Sequence, residues 1–195
     1  VDREAVEPRR EGAFGAEAAE ALPGPDEGIL CQRLGADRIG HGVRLAKDTN
    51  LMREVAERRI HVESAPWSNV QIAAVPNYRQ HPLPTFLQHN VSVSLNTDNR
   101  MVSQITQTEQ LGHLYATGTI ACWDRIRELS LNGARAAFVS PFEKFRLVRQ
   151  FKKAFKSIEN NPAYKATIAR YLHQGCGHGG VNKLPWIPIR PKMGG

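Results

Sequence analysis

Residues 91–100 read VSVSLNTDNR, and the fold of the chain turns on them. Val91, Val93 and Leu95 alternate with Ser92, Ser94 and Asn96 at the two-residue period of a β-strand, and the run closes on Thr97, Asp98 and Asn99. A carboxylate therefore stands at the C-terminal end of a strand. In an α/β barrel that rim carries the chemistry, because the loops leaving the strands converge there. Taken alone, Asp98 could equally cap the next helix or form an Asx turn.

Two strand-like runs precede this one. Residues 37–43 (DRIGHGV) set His41 between two glycines, where the missing side chains let a backbone or a ligand approach closely. Residues 60–66 (IHVESAP) carry Glu63 and stop at Pro66. Between the runs the pattern is helical: in residues 48–59 (DTNLMREVAERR) Asp48 or Thr49 can cap a helix, and Leu51, Met52 and Val55 share one face. The acidic start and basic end of that segment suit the helix dipole. Strand and helix alternate, which predicts an α/β fold with a parallel sheet and crossover helices.

Residues 76–84 (PNYRQHPLP) read as a loop and 85–89 as a short helix entering the central strand. Residues 107–117 and 122–138 follow as two helices, the second apolar at Ile126, Leu129, Ala136 and Ala137 and interrupted at Gly133. Beyond Pro141, the residues Phe142, Phe145, Val148, Phe151, Phe155 and Ile158 recur at helical spacing with lysines between them, the pattern of a helix packed on a core.

Four ordered blocks, LGADRIGHGVRL (34–45), SAPWSNVQ (64–71), HPLPTFLQHNVSVSLNTDNR (81–100) and LNGARAAFVSP (131–141), together resemble the C-terminal part of adenosine deaminases, bacterial ones especially. The resemblance runs from about residue 34 to residue 149. It implies a partial TIM-type (β/α) barrel, about the last three strands with their helices. It also implies a zinc-dependent hydrolase converting adenosine and water to inosine and ammonia. By resemblance His41 is the catalytic histidine and Asp98 the metal-binding aspartate. Asn99 falls where the family usually has a second aspartate contacting the purine ring, so it is the expected substrate-binding residue, with a hydrogen-bonding side chain but no charge. Glu63 is expected to orient His41 from the neighbouring strand, the alternative being an ion pair with a nearby arginine.

The other metal ligands of the family have no counterpart. None of the seven histidines forms a His-x-His pair. Where the family has His-Ala-Gly-Glu before Ala-Phe-Gly, this chain has Arg9, Arg10, Glu11 and Gly12 before Ala13, Phe14 and Gly15. One retained ligand does not make a zinc site, which commonly needs three protein ligands. The expectation is therefore a deaminase-like chain with an incomplete zinc site, impaired when alone, or else an inactive fragment serving as an interaction module. The triplet His61-Val62-Glu63 also matches the H-x-E of cytidine deaminases, but no P-C-x-x-C follows it. A three-stranded remnant is further expected to leave two sheet edges and an inner face without cover.

Three segments are expected: residues 1–28, rich in Ala, Glu, Gly and Pro; the barrel portion 29–150; and a basic helix with a Gly/Pro-rich tail, 151–195. A modest helical signal at 16–22, a turn at 23–28, a His173, Cys176, His178 cluster and a P-x-x-P-x-R spacing ending at Arg190 belong to the outer two. The net charge of +7 and pI near 9.6 raise the question of an anionic partner. Much of the excess gathers at Lys144, Arg146, Arg149, Lys152, Lys153 and Lys156, and no nucleic-acid motif accompanies it, so a solvated basic face is the reading and nucleic acid is not an expected partner. Three scattered cysteines (Cys31, Cys122, Cys176) suggest neither a disulfide framework nor a C-x-x-C pair, the usage of a reducing compartment. No apolar run approaches the roughly 20 residues of a membrane span, and the expected location is cytoplasmic.

Overall fold

A computed structural model of the chain describes residues 36–120 and 122–165. The expectations for residues 1–28 and for the tail, Cys176 and the two nearby histidines included, lie outside the described residues. Three strands form one parallel sheet in the order β1 (Arg38–Gly40), β2 (His61–Ser64), β3 (Ser92–Leu95). Arg38 stands opposite His61, which stands opposite Ser92, while Gly40, Glu63 and Ser94 form the corresponding row two residues on.

Each connection follows from local chemistry. Past β1 the chain turns through Gly42 at φ 62 into a 3-10 helix, Val43–Lys47. A Cβ at Gly42 would lie 2.9 Å from Val62 Cγ1, so both the backbone angle and the contact with β2 require glycine. Asp48 caps α1 (Thr49–Glu57) by accepting from the Asn50 and Leu51 N–H groups, and Met52 and Val55 on its inner face are fully buried. Pro66 opens α2 (Pro66–Gln71), where its missing N–H costs nothing. A 3-10 turn (Tyr78–Gln80) and α3 (Leu83–Gln88) lead into β3. The core joins Ile39, Val62 and Val93 from the strands to Leu45, Met52, Val55, Leu83 and Phe86.

After β3 come α4 (Arg100–Ser103), α5 (Gln107–Ala116) and α6 (Trp123–Ala136). The expected break at Gly133 does not occur. The helix runs through it, and the glycine instead admits β3: a Cβ there would lie 3.2 Å from Ser94 Cβ. Farther along α6, Arg38 of β1 donates to Ala136 O at 3.4 Å and lies 3.5 Å from the centre of the Phe138 ring. Under this helix the buried His61 ring bonds the hydroxyls of Ser92 and Ser94, both at 2.9 Å, and burial with the Arg38 charge pushes its pKa down to about 4.

Sheet edges are expected to lie open; β3 is an edge strand, and side chains cover part of that edge. Asn96 N–H donates to Ser64 O of β2, so the carbonyls of Leu95 and Val93, one and three residues away, point to the outer side. Gln107 Nε2 bonds Leu95 O at 2.7 Å and Asn132 Nδ2 bonds Val93 O at 3.4 Å. Side-chain amides thus occupy the acceptors that a further strand would use.

The apolar repeat after Pro141 forms α7 (Pro141–Asn160), capped by a Ser140–Glu143 box. Its expected packing on a core is corrected: it buries no residue, and Phe142 and Phe145 stay 69% and 64% exposed. Its anchor is α6, through Trp123 against Phe155 (ring centres 5.5 Å apart) and Trp123 Nε1 donating to Glu159 at 2.9 Å. Helical periodicity dictates which residues share a face, but not whether an element is there to cover it. Among the described residues no helix is long and apolar enough to cross a membrane.

Candidate active site

The segments that leave β1, β2 and β3 at their C-terminal ends bring His41, Ser68 and Asp98 together. His41 is the first residue past β1 and is held at φ 55, a conformation that costs a non-glycine residue about 1 kcal/mol or more. Its N–H donates to Glu63 O at 2.9 Å, which prolongs the β1–β2 ladder and fixes where the imidazole starts. Asp98, past β3, is also left-handed, at φ 60.

The Asp98 carboxylate is well supplied with donors. The Ser68 hydroxyl, then the Asn99 N–H at 2.7 Å and, least, the neighbouring His41 hold its carboxyl below the usual range against the opposing effect of partial burial. Asp98 is therefore anionic near neutral pH. Its Oδ2 stands 3.7 Å from His41 Nε2, within ion-pair reach and longer than a hydrogen bond.

Behind His41 lies a buried polar row. Asn69 Nδ2 is 2.9 Å from His41 Nδ1, and Asn69 Oδ1 is 3.0 Å from His81 Nε2. Leu83 N–H in turn donates to His81 Nδ1 at 3.1 Å. Asn69 is fully buried and His81 nearly so, and burial, with a smaller effect from His41, pushes the His81 pKa down to about 4. Other polar ties hold the surrounding segments. The buried Gln110 donates to Asn96 O at 2.6 Å and accepts from Trp67 N–H at 3.1 Å, while Trp67 Nε1 donates to Ser103 O at 2.7 Å.

Two expected site residues have other employment. Glu63 pairs through its carboxylate with Arg38 Nε at 2.9 Å, and its hydrogen bond with His41 runs through the main chain. The register explains this: Gly40 stands opposite Glu63 and fills no space, so the arginine two residues earlier on β1 reaches the carboxylate. Asn69, not Glu63, meets the imidazole at Nδ1. Asn99 caps α4, its Oδ1 accepting from Met101 N–H at 3.0 Å. Among the described residues no group of three or more His, Cys, Asp or Glu is placed to hold a metal ion. Asp98 and His41 offer two converging donors, which alone do not fit a zinc centre of three protein ligands.

The adenosine deaminase family profile matches residues 27–154, which include all these residues. The chain belongs to the adenosine deaminase family. Adenosine deaminase from Edwardsiella ictaluri is 44% identical over 116 residues, covering 58% of this chain and 34% of that enzyme. The enzyme from Klebsiella pneumoniae is 40% identical over 125 residues, 63% of this chain and 36% of its own. The chain thus spans about a third of the length of the curated relatives it matches. Among solved structures, adenine deaminase from Arthrobacter aurescens aligns with a TM-score of 0.61 at 24% identity over 66% of this chain and 39% of that one. A Burkholderia ambifaria amidohydrolase with bound Zn aligns with a TM-score of 0.61 at 19% identity, over 73% of this chain and 38% of the other. These alignments concern the fold: the sheet and helices are part of a (β/α) barrel.

Within the family region, the sequence pointed to His41 and Asp98, and the structure brings them together. It did not single out Ser68, Asn69 or His81, which lie in two of the blocks that carried the resemblance. A polar residue just inside a proline-started helix and a histidine between a loop and a second proline were the available signals, and neither has a period to mark it.

Proposed function

We propose that this chain supplies one part of a deaminase-type hydrolytic site acting on a purine nucleoside, adenosine being the substrate of the matched relatives by their names. The reading rests on the convergence of His41 Nε2 and Asp98 Oδ2 at the C-terminal rim of the sheet, in a chain of this family. An anionic carboxylate accepts a proton or a hydrogen bond from a nucleophilic water, and the imidazole beside it orients that water and stabilises charge developing on it. Attack at C6 of the purine, with loss of ammonia, gives the inosine product. Asn99 contributes a hydrogen-bonding amide next to Asp98 as a purine contact, and Glu63 acts at one remove by fixing Arg38 and the β1–β2 ladder. Asp98 is the metal ligand of this portion, and a functional zinc centre draws its remaining ligands from outside the described residues.

Two measurements test this. The purified chain alone should show no adenosine deamination at an ordinary enzyme rate. Joined to the part of the Edwardsiella enzyme that it does not match, it should deaminate adenosine, with loss of activity in His41→Ala and in Asp98→Ala. A folded, zinc-loaded chimera that is inactive, or that is indifferent to both substitutions, would refute the reading. A second reading, an interaction module, is supported by the exposed Phe142 and Phe145 on α7. It predicts that the chain binds a partner through that face and that the chimera stays inactive.

A further inference from the structure

We propose that Asn69 and His81 are positioning residues that hold His41 as the tautomer protonated on Nε2, the nitrogen that stands beside the Asp98 carboxylate. The assignment starts from a group whose role is fixed. A backbone N–H can only donate, so Leu83 N–H makes His81 Nδ1 an acceptor. A ring that accepts an N–H at Nδ1 is neutral and carries its proton on Nε2. That N–H donates to Asn69 across 3.0 Å, so the atom it meets is the amide oxygen. The amide orientation follows, and Asn69 presents its NH2 group to His41 Nδ1 at 2.9 Å. His41 Nδ1 is thereby an acceptor and Nε2 bears the proton.

The direction of the row matters because His81 and then Asn69 relay it to His41. An amide has a donor end and an acceptor end, so it passes on the polarity set at Leu83. An aspartate of the same shape has only acceptors and would demand a proton from both rings. The row lies in the buried interior between α2 and α3, where an unmatched donor or acceptor costs on the order of the full desolvation of that group. The tautomer stands on this geometry alone, whereas the catalytic value given to it rests on the proposed deaminase role of His41.

The test uses the full chain labelled with 15N at histidine, and long-range 1H–15N correlation spectra at pH 8, which separate Nδ1–H from Nε2–H rings. The expected result is a His41 signal of the Nε2–H form in the wild type. Asn69→Asp should turn His41 to the Nδ1–H form, and His81→Gln, whose amide nitrogen can take the place of Nε2 as donor, should leave it unchanged. A wild-type His41 protonated on Nδ1, or a folded Asn69→Asp that keeps the Nε2–H form, overturns the proposal. If Asn69→Asp does not fold, the wild-type spectrum and His81→Gln still decide. In the active chimera, Asn69→Asp should lower kcat by about 10–100-fold with KM little changed, the usual size of an outer-shell effect. A turned tautomer with unaltered kcat would leave the proposal standing and count against the catalytic role of His41.

Discussion

Acid should weaken this fold well before its carboxylates are titrated. His61 and His81 are buried, and both pKa values are pushed from 6.5 to about 4. In the unfolded chain each takes up a proton as pH falls through about 6.5, while in the folded chain each stays neutral until about pH 4. The unfolded state therefore binds more protons in this window, and stability rises with pH across it. The contribution is fully present above pH 6.5 and is lost progressively toward pH 4. At about 1.36 kcal/mol for each pH unit of displacement, each ring can cost up to about 3 kcal/mol. At pH 5.5 the loss is about 1.4 kcal/mol per ring, or about 3 kcal/mol for the pair, a large share of a margin that is usually about 5–15 kcal/mol. Urea titrations of the full chain between pH 8 and pH 5.5, followed by tryptophan fluorescence, would measure it. His61→Gln should remove about half of the pH dependence, whatever it does to stability at pH 8. Equal urea midpoints at pH 8 and 5.5, or an undiminished slope in His61→Gln, would refute the assignment of buried neutral rings. Asp98 adds its own loss only at lower pH, because its carboxyl is held below the ordinary value.

Gly133→Leu should destabilise by about 1–3 kcal/mol, since even a Cβ there meets Ser94 Cβ at 3.2 Å; an unchanged urea midpoint would mean that α6 does not pack on β3 as described. Asp48→Ala removes the acceptor for two N–H groups at the start of α1 and should cost about 0.5–2 kcal/mol, whereas Asp48→Asn should retain most of it, as read by thermal unfolding. After dialysis the isolated chain should hold much less than one zinc per molecule by elemental analysis. Stoichiometric zinc that disappears in Asp98→Ala would show that ligands outside the described residues already complete a site.

What could be read from the sequence was what is local or periodic. β3 declared itself by alternation, α1 by Asp48 and its apolar spacing, and His41 by the glycine on either side. The parallel order followed from strands that alternate with helices. The partner of Glu63 was not legible, because it depends on register: only once Gly40 stands opposite Glu63 is Arg38 the side chain within reach. The row from Leu83 to His41 was illegible for a similar reason, since Asn69 and His81 are 12 positions apart in aperiodic segments and meet only in the folded chain. The periodicity of α7 was visible, but its exposure was not, because a spacing pattern does not contain the surface it is to meet.

The amides on the outer side of β3 give the sheet a direction of growth. With Gln107 on Leu95 O and Asn132 on Val93 O, an incoming strand cannot simply zip onto that side; it must first evict two side chains. The cover on that edge is therefore built from replaceable parts. Neutral hydrogen bonds of this kind are worth about 1 kcal/mol each in net terms, and a proper strand would return more than it removed by offering a full ladder in their place. Such a latch discriminates by length: a chance contact of one or two residues gains too little to open it, and a matching strand long enough to restore the whole row of bonds opens it at a profit.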